Sequence, residues 1–403
     1  MTKAAGLGGG DVQRLVLGYV LAVGAVEFFA YKILDPFYLQ FLTTGRGIGL
    51  TPAQFGLFVA LGGWATMAVD YLTGALADKA GRRLCWALSM FVYAGAMFWL
   101  SRVTTFAQAL ATPLLQGLSW ALVSGSREAW LYDHVGREGT RRAMASLYLC
   151  SVPLTVAAAA LATWLGMWAG IRPPIALTGF IMLAVGCLVL TFPENYGSRE
   201  RNWPVVLRSG LRQFLAGRAL QLIALQSFFM TLPVWINSAW WFTFVVQEWE
   251  MKVARATLAF GVAAVAGAVA GLLIRRLKAN DYRALLVYPT LAAAASYSLM
   301  SVAPSPGALV GLVVVAVAAG YLRGAGITLL RNQHIREDRA TALSFLSTLE
   351  GAFWVVGPLL WSVLIGALGL RGTFAVAAGC CLVSLALLVA AMAVPAPVAG
   401  PEQ

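Results

Sequence analysis

Gly74-Ala75-Leu76-Ala77-Asp78-Lys79-Ala80-Gly81-Arg82-Arg83 places an acid, three bases and two glycines between two strongly apolar runs. Those runs, near 52–77 and 84–101, each approach or exceed the length of about 20 residues with which a helix crosses hydrocarbon. A charged stretch between them belongs at a membrane surface. Gly81 suits a tight turn and Gly74 a close approach of helices. Asp78 is placed to accept hydrogen bonds at a neighbouring helix end, and Arg82 and Arg83 are expected to stay at the surface.

The same alternation continues in both directions. The chain has 403 residues, 60% hydrophobic and 11% charged, so lipid rather than water is its main solvent. With charges, Pro and Gly as punctuation, spans fall near 13–42, 52–77, 84–101, 106–135, 142–168, 173–192, 218–247, 254–275, 283–303, 307–333, 340–369 and 372–394. Even-numbered loops hold most of the bases, among them Lys79, Arg137, Arg142, Arg208, Arg276, Lys278 and Arg336. By the positive-inside rule those loops, and both termini, face the cytoplasm. The first run has no small-residue cleavage pattern and reads as a retained helix.

The longest polar interval, 193–217, reads as a cytoplasmic linker between a six-helix bundle at 1–192 and another at 218–403. A weak repeat supports two related halves: Asp133-His134 leads to Arg142-Ala143 after span four, as Gln333-His334 leads to Arg339-Ala340 after span ten. Cys85, Cys150, Cys187, Cys380 and Cys381 all lie in apolar segments and read as packing residues, with no metal-ligand spacing. His134 and His334 read as interfacial residues at helix ends. The net charge of +12 is spread over short loops, which argues for topology and against a nucleic-acid partner.

The decapeptide resembles the loop signature of the major facilitator superfamily, G-x-L-A-D-x-x-G-R-R, nearly residue for residue. Ser124-Gly125-Ser126-Arg127-Glu128-Ala129-Trp130 with Asp133 is similar to a span-four segment of one branch of that superfamily, and Asp70-Tyr71-Leu72-Thr73-Gly74 to its lead-in. The resemblance implies an all-α integral membrane fold of twelve helices in two pseudo-symmetric bundles, a monomer, and a gating role for Gly74, Asp78, Gly81, Arg82 and Arg83. It also departs from the superfamily's drug–proton antiporters. Their span-four arginine is replaced by Pro113 ahead of Gln116-Gly117, and span five reads Ser151-Val152-Pro153-Leu154-Thr155, without paired glycines.

An ionised side chain at the bilayer centre costs about 2.5–3.5 kcal/mol, so deep charges face a cavity or a partner. Span one carries Glu27, Tyr31 and Asp35 on one helix face, with Lys32 three residues before Asp35 and able to pair with it. Glu27 has no such partner in its own helix. Span four adds Gln116, span seven Asn237 and Trp240, span ten Arg323 and span eleven Glu350; the last two are a buried ion pair or a substrate anchor beside a proton site. Arg127, Glu128 and Asp133 near the inner end of span four are within reach of Asp70 and the basic loop and read as gating residues. These residues predict a small-molecule transporter with protons as the expected second ligand and no cofactor. The leading expectation is proton-coupled export by alternating access. The rivals are proton-independent uptake or exchange of an organic anion at Arg323, and a non-transporting receptor or scaffold. No G-x-x-x-x-G-K-[ST] motif or catalytic constellation points to an ATPase or an intramembrane enzyme.

Overall fold

The computed structural model describes residues 9–43, 47–50, 52–197, 200, 202–236, 249 and 253–395, and these are almost wholly helical, with no strand among them. Hydrocarbon offers no partners to backbone N–H and C=O groups, so a chain this apolar satisfies them within helices. In order the helices are α1 (9–43), α2 (Pro52–Ala80), α3 (Arg82–Leu100), α4 (Ala111–Ser124), α5 (Ser126–Ala169), α6 (Arg172–Val189), α7 (Trp203–Ala216), α8 (Arg218–Trp235), α9 (Val253–Arg276), α10 (283–300), α11 (Pro306–Gln333) and α12 (Arg339–Met392). Seven stretches among the described residues are long and apolar enough to cross a membrane. Their outer faces are apolar: Trp168, Met167 and Val363 are each more than 70% exposed.

Several elements differ from the sequence expectation. Loops expected after 135 and 369 are instead kinks within continuous helix, at Gly136 (φ 65°) and Gly369 (φ 68°). Glycine alone adopts that backbone without cost, so one residue turns the chain where a loop was expected. The stretch Phe106–Ala169 runs for 64 residues. At 1.5 Å per residue that is about 96 Å, far more than one crossing. Dividing the long helices at such breaks is consistent with twelve spans. Part of the interval expected as a linker is folded as α7, whose Val206 and Ser209 are buried. Within α1, residues Val20–Glu27 form a π-helix, a rare geometry that favours functional sites.

The described residues group into two compact units. One draws on Met1–Gly139, Pro153–Gln213 and Ile335–Gly351, the other on Thr140–Val152, Phe214–His334 and Ala352–Gln403. Each unit thus takes one short stretch from the other half of the sequence. In the first, α2 packs along α4, and α3 along α4 and α6; in the second, α11 packs along α9 and α10. Without a hydrophobic drive between helices in lipid, small residues allow the backbones to approach. A Cβ on Gly117 of α4 would lie 2.5 Å from the Gly62 carbonyl oxygen and 2.7 Å from Ala65 Cβ of α2. In the second unit Gly267 and Gly271 of α9, four residues apart, do the same against α5: a Cβ on Gly271 would lie 2.7 Å from the Ala145 carbonyl oxygen.

Gly62 tests this packing by contrast, because a Cβ there would meet Pro113 at an ordinary 3.4 Å. Gly117→Ala is expected to lower stability by about 1–3 kcal/mol through overpacking, and Gly62→Ala to cost much less. Thermal unfolding of the purified variants in one detergent checks the order; equal losses would remove the close α2–α4 contact as the explanation.

Candidate functional site

The helix that begins at Arg339 presents its first N–H groups to Asp78. The Thr341 N–H and hydroxyl donate to Asp78 Oδ2 at 2.8 Å each, and the Ala340 N–H donates to Oδ1 at 3.4 Å. The first N–H groups of a helix have no partner in their own helix, and a carboxylate there satisfies them and meets the positive end of the helix dipole. Asp78 therefore caps α12 from α2. Its Oδ1 also accepts Arg82 Nε at 3.0 Å and Nη2 at 2.7 Å. Arg82 extends to Asp133, which accepts Arg339 Nε at 2.9 Å, and the Arg339 guanidinium lies 4.7 Å from the centre of the Tyr132 ring. Two acids and two bases alternate in one chain, buried at Asp78 and Arg82 and half-buried at Asp133 and Arg339.

Neighbouring contacts fix the same stretch of α12. Asp338, at φ 43°, precedes the helix and accepts the Ser209 hydroxyl of α7 at 2.6 Å. A positive φ is tolerated best, after glycine, by Asn and Asp. Gln213 of α7 accepts the Arg336 N–H at 2.9 Å and donates to the Glu337 carbonyl at 2.8 Å. Gly74 and Gly125 leave room for the helix: a Cβ on either would lie within 2.8 Å of the Ala340 carbonyl oxygen. Gly81 (φ 127°) turns the chain into α3, whose N–H groups at Arg83 and Leu84 donate to Glu194 at 2.8 and 3.2 Å. Arg83 reciprocates by donating to the Leu190 and Phe192 carbonyls at the end of α6.

The expectation that both loop arginines stay at the surface is corrected here. Arg82 is 2% exposed, because Asp78 and Asp133 compensate its charge, while Arg83 keeps partial exposure. His334 is likewise buried, not interfacial, and His134 packs on Trp130 with ring centres 4.6 Å apart.

A second cluster lies on the α1 face. Glu27, 3% exposed, accepts two bonds from Arg127 Nη1, at 2.9 and 3.1 Å, and one from Tyr31. Arg127, which the sequence groups with the gate, thus reaches α1; Asp133, grouped with it, does reach the loop. Glu128 is near Tyr19 of α1. Tyr31 stacks on Trp120 and meets Tyr93 edge-on, with centres 5.7 and 5.3 Å apart. Tyr38 donates to Gln116 Oε1 at 2.7 Å, and Gln116 reaches the Tyr93 hydroxyl at 3.5 Å. Lys32 lies over the Phe28 ring at 5.5 Å. The Asp35 side chain, Asn237 and Trp240 lie outside the described residues.

In the second unit Arg323, 9% exposed, donates to Gln226 of α8 and, at 3.1 Å, to Ser384 of α12. In the first, Asp70 is fully buried and accepts the Ser124 hydroxyl, which is 3.3 Å from the Ser344 hydroxyl; Glu350 lies on the same helix as Ser344, about two turns further along. Thr341, Asp338, Ser209, Glu194 and Arg339 escaped the sequence reading. The Arg339-Ala340 end of the internal repeat was the available signal for the last of these.

The Major Facilitator Superfamily model matches residues 20–333. No curated protein matches the sequence. Among solved structures, the human organic anion transporter MFSD10 (TETRAN) is 16% identical at a TM-score of 0.68, with 94% of this chain and 99% of that one covered. The fucose:proton symporter FucP of E. coli is 14% identical at 0.72, with 94% and 98% covered. A bacterial homologue of the iron transporter ferroportin is 15% identical at 0.69, with 95% and 99% covered. At these identities the likeness is one of fold.

Removing the cap separates charge from hydrogen bonding. Asp78→Ala is expected to cost about 3–5 kcal/mol, as for breaking a buried ion pair. Thr341→Val, which keeps the backbone donor, is expected to cost about 0.5–1.5 kcal/mol. Thermal unfolding of both variants decides; a Thr341→Val loss as large as that of Asp78→Ala would place the cap's strength in the hydroxyl.

Proposed function

Starting from the membership of this chain in the major facilitator superfamily, whose model spans residues 20–333, we propose that it is a secondary transporter exporting a small organic solute in exchange for protons. Bundles at 1–192 and 218–403, joined through 193–217, alternate in access around the α1 cluster in the cell membrane, with both termini cytoplasmic. The protein acts as a monomer and not as an enzyme.

The observation that carries this reading is the Glu27–Arg127 pair, held at 2.9 Å with Glu27 buried. In a low-dielectric setting each partner is tolerable as a charge mainly because the other is present. A proton on Glu27 ends the attraction and leaves Arg127 in need of an acceptor. Polar groups of a solute or entering water meet that need, so proton and solute occupancy are linked through one guanidinium. Tyr31, Tyr93 and Trp120 supply aromatic surface, and Tyr38 and Gln116 supply hydrogen bonds. The π-helical turn that ends at Glu27 supports a functional role for that position.

A second reading is supported by Arg323, which Gln226 and Ser384 hold within the second unit as a buried cation suited to an organic anion. It needs no proton. A receptor or scaffold built on the same fold would move neither.

Purified protein in liposomes with an internal pH dye, challenged with small organic cations, anions and neutral solutes, separates the three. Proton coupling predicts that at least one solute class moves protons, and that Glu27→Gln abolishes this movement while the solute still raises the melting temperature. Full coupling in Glu27→Gln would sink the assignment. Flux that ignores the pH gradient and is lost in Arg323→Ala would select the anion reading, and comparing right-side-out with inverted vesicles reads the direction.

A further inference from the structure

The helix α7 lies between the sixth and seventh apolar runs and has no place in the proton scheme. Its inner face is occupied. Val206, Ser209 and Gly210 are buried there, Ser209 and Gln213 bond the turn before α12, and a Cβ on Gly210 would lie 2.9 Å from Thr341 Cγ2. The opposite face is exposed and of mixed character. Arg208 and Arg212 stand one turn apart on it, and Leu211 and Leu215 follow them by three residues each, so the four side chains form two adjacent stripes. Leu215 is 63% exposed, and Leu211 and Val205 are exposed as well.

The surface that suits both stripes is close at hand. The chain bends by 83° at Gly217, where α7 gives way to α8 and the seventh apolar run begins. Gln221 of α8 fixes this corner by donating to the Phe214 and Leu215 carbonyls at 3.1 and 2.8 Å. A helix set nearly at right angles to a spanning helix runs along the bilayer surface, where an apolar stripe enters the headgroup boundary and bases stay among the headgroups. Arg208, Arg212 and Arg218 are exposed, and none pairs with an acid among the described residues. Arg336, whose N–H is held by Gln213, is a fourth exposed base; the exposed acids of this neighbourhood are Glu200 and Glu337.

We propose that the outer face of α7 binds anionic phospholipid at the bilayer surface, with Leu211 and Leu215 among the upper acyl carbons and Arg208 and Arg212 on the headgroup phosphates. Arginine suits this place, because its stem lies along apolar surface while its guanidinium meets phosphate with two parallel N–H groups. A zwitterionic headgroup offsets its phosphate with its own ammonium, so bases without acid partners select lipid of net negative charge. Because the inner face of α7 holds residues 336–338, lipid that seats α7 also steadies the turn before α12. The inference rests on the membrane fold and is independent of Glu27 and of the direction of transport.

Hydrogen exchange of the full chain tests it, in nanodiscs holding a single copy and made of phosphatidylcholine with or without about one-third phosphatidylglycerol. Phosphatidylglycerol is expected to raise protection over residues 203–216 about tenfold or more, and high salt to shrink the rise. Both faces of a nanodisc carry the same lipid, so the result does not depend on the assigned sidedness. Arg208→Gln combined with Arg212→Gln is expected to lose most of the rise. Arg275→Gln combined with Arg276→Gln, which removes equal charge from the exposed end of α9, is expected to keep it. All four positions are exposed, and an unchanged melting temperature in detergent verifies that both variants fold. Equal protection in the two lipids overturns the proposal, as does a native rise without Arg208 and Arg212 or its loss in the α9 variant. An equal rise on adding inorganic phosphate to phosphatidylcholine discs would make the ligand a free anion. A rise confined to discs with two copies would make the occupant a second chain, and either result also overturns it.

Discussion

The N-terminus of α12 has donors that its own helix cannot satisfy, and at Ala340 and Thr341 they are met by a carboxylate from another helix, Asp78. Much of the first unit follows from that requirement. For Asp78 to reach the helix end, α2 must approach α12 closely, which Gly74 permits by lacking a Cβ. Asp78 is fully buried, and a buried acid needs a cation beside it, which Arg82 supplies four residues along the chain. Arg82 would then exceed its partner's reach at one edge, and Asp133 takes up the remaining guanidinium N–H. Gly74, Asp78 and Arg82 of the decapeptide all serve to place one helix end, while Gly81 and Arg83 serve the turn into α3.

The bonds around this end share a property that suits reversible docking. They are polar and local, and every group in them can be met by water once exposed. An apolar interface of equal size would gain nothing from leaving, because lipid and side chains are equally apolar. A hydrogen-bonded cap in a membrane protein is held by the absence of water, and it yields when water is admitted. The same logic covers the α7 contacts, where Ser209 and Gln213 hold the turn before α12 through single hydrogen bonds.

The architecture was legible in the sequence because membrane thickness imposes a length on each apolar run and the bases mark where runs end. The loop motif was legible down to the acceptor role of Asp78, since its spacing of Gly, Asp and Arg is unnecessary for topology alone. Burial of Arg82 was not legible. It depends on Asp133, fifty-one residues away, and on Arg339, which only the fold brings together. The pairing of Glu27 with Arg127 was hidden for the same reason: in sequence Arg127 sits among residues that do reach the loop. The kinks at Gly136 and Gly369 were read as loops because a single positive-φ glycine and a short loop leave similar marks in composition.

The two ion clusters of the first unit differ in redundancy, and that difference separates their roles. In the chain Asp78–Arg82–Asp133–Arg339 each interior member has two partners, so the loss of one contact leaves another in place and the charges still sum to zero. Glu27 and Arg127 form a pair in which the hydroxyl of Tyr31 is the neutral third member. A single proton there converts a neutral pair into a net cation. At low dielectric such a change is worth far more than the same event in water. The redundant cluster suits holding a helix end in place, and the two-body cluster suits sensing what arrives beside it.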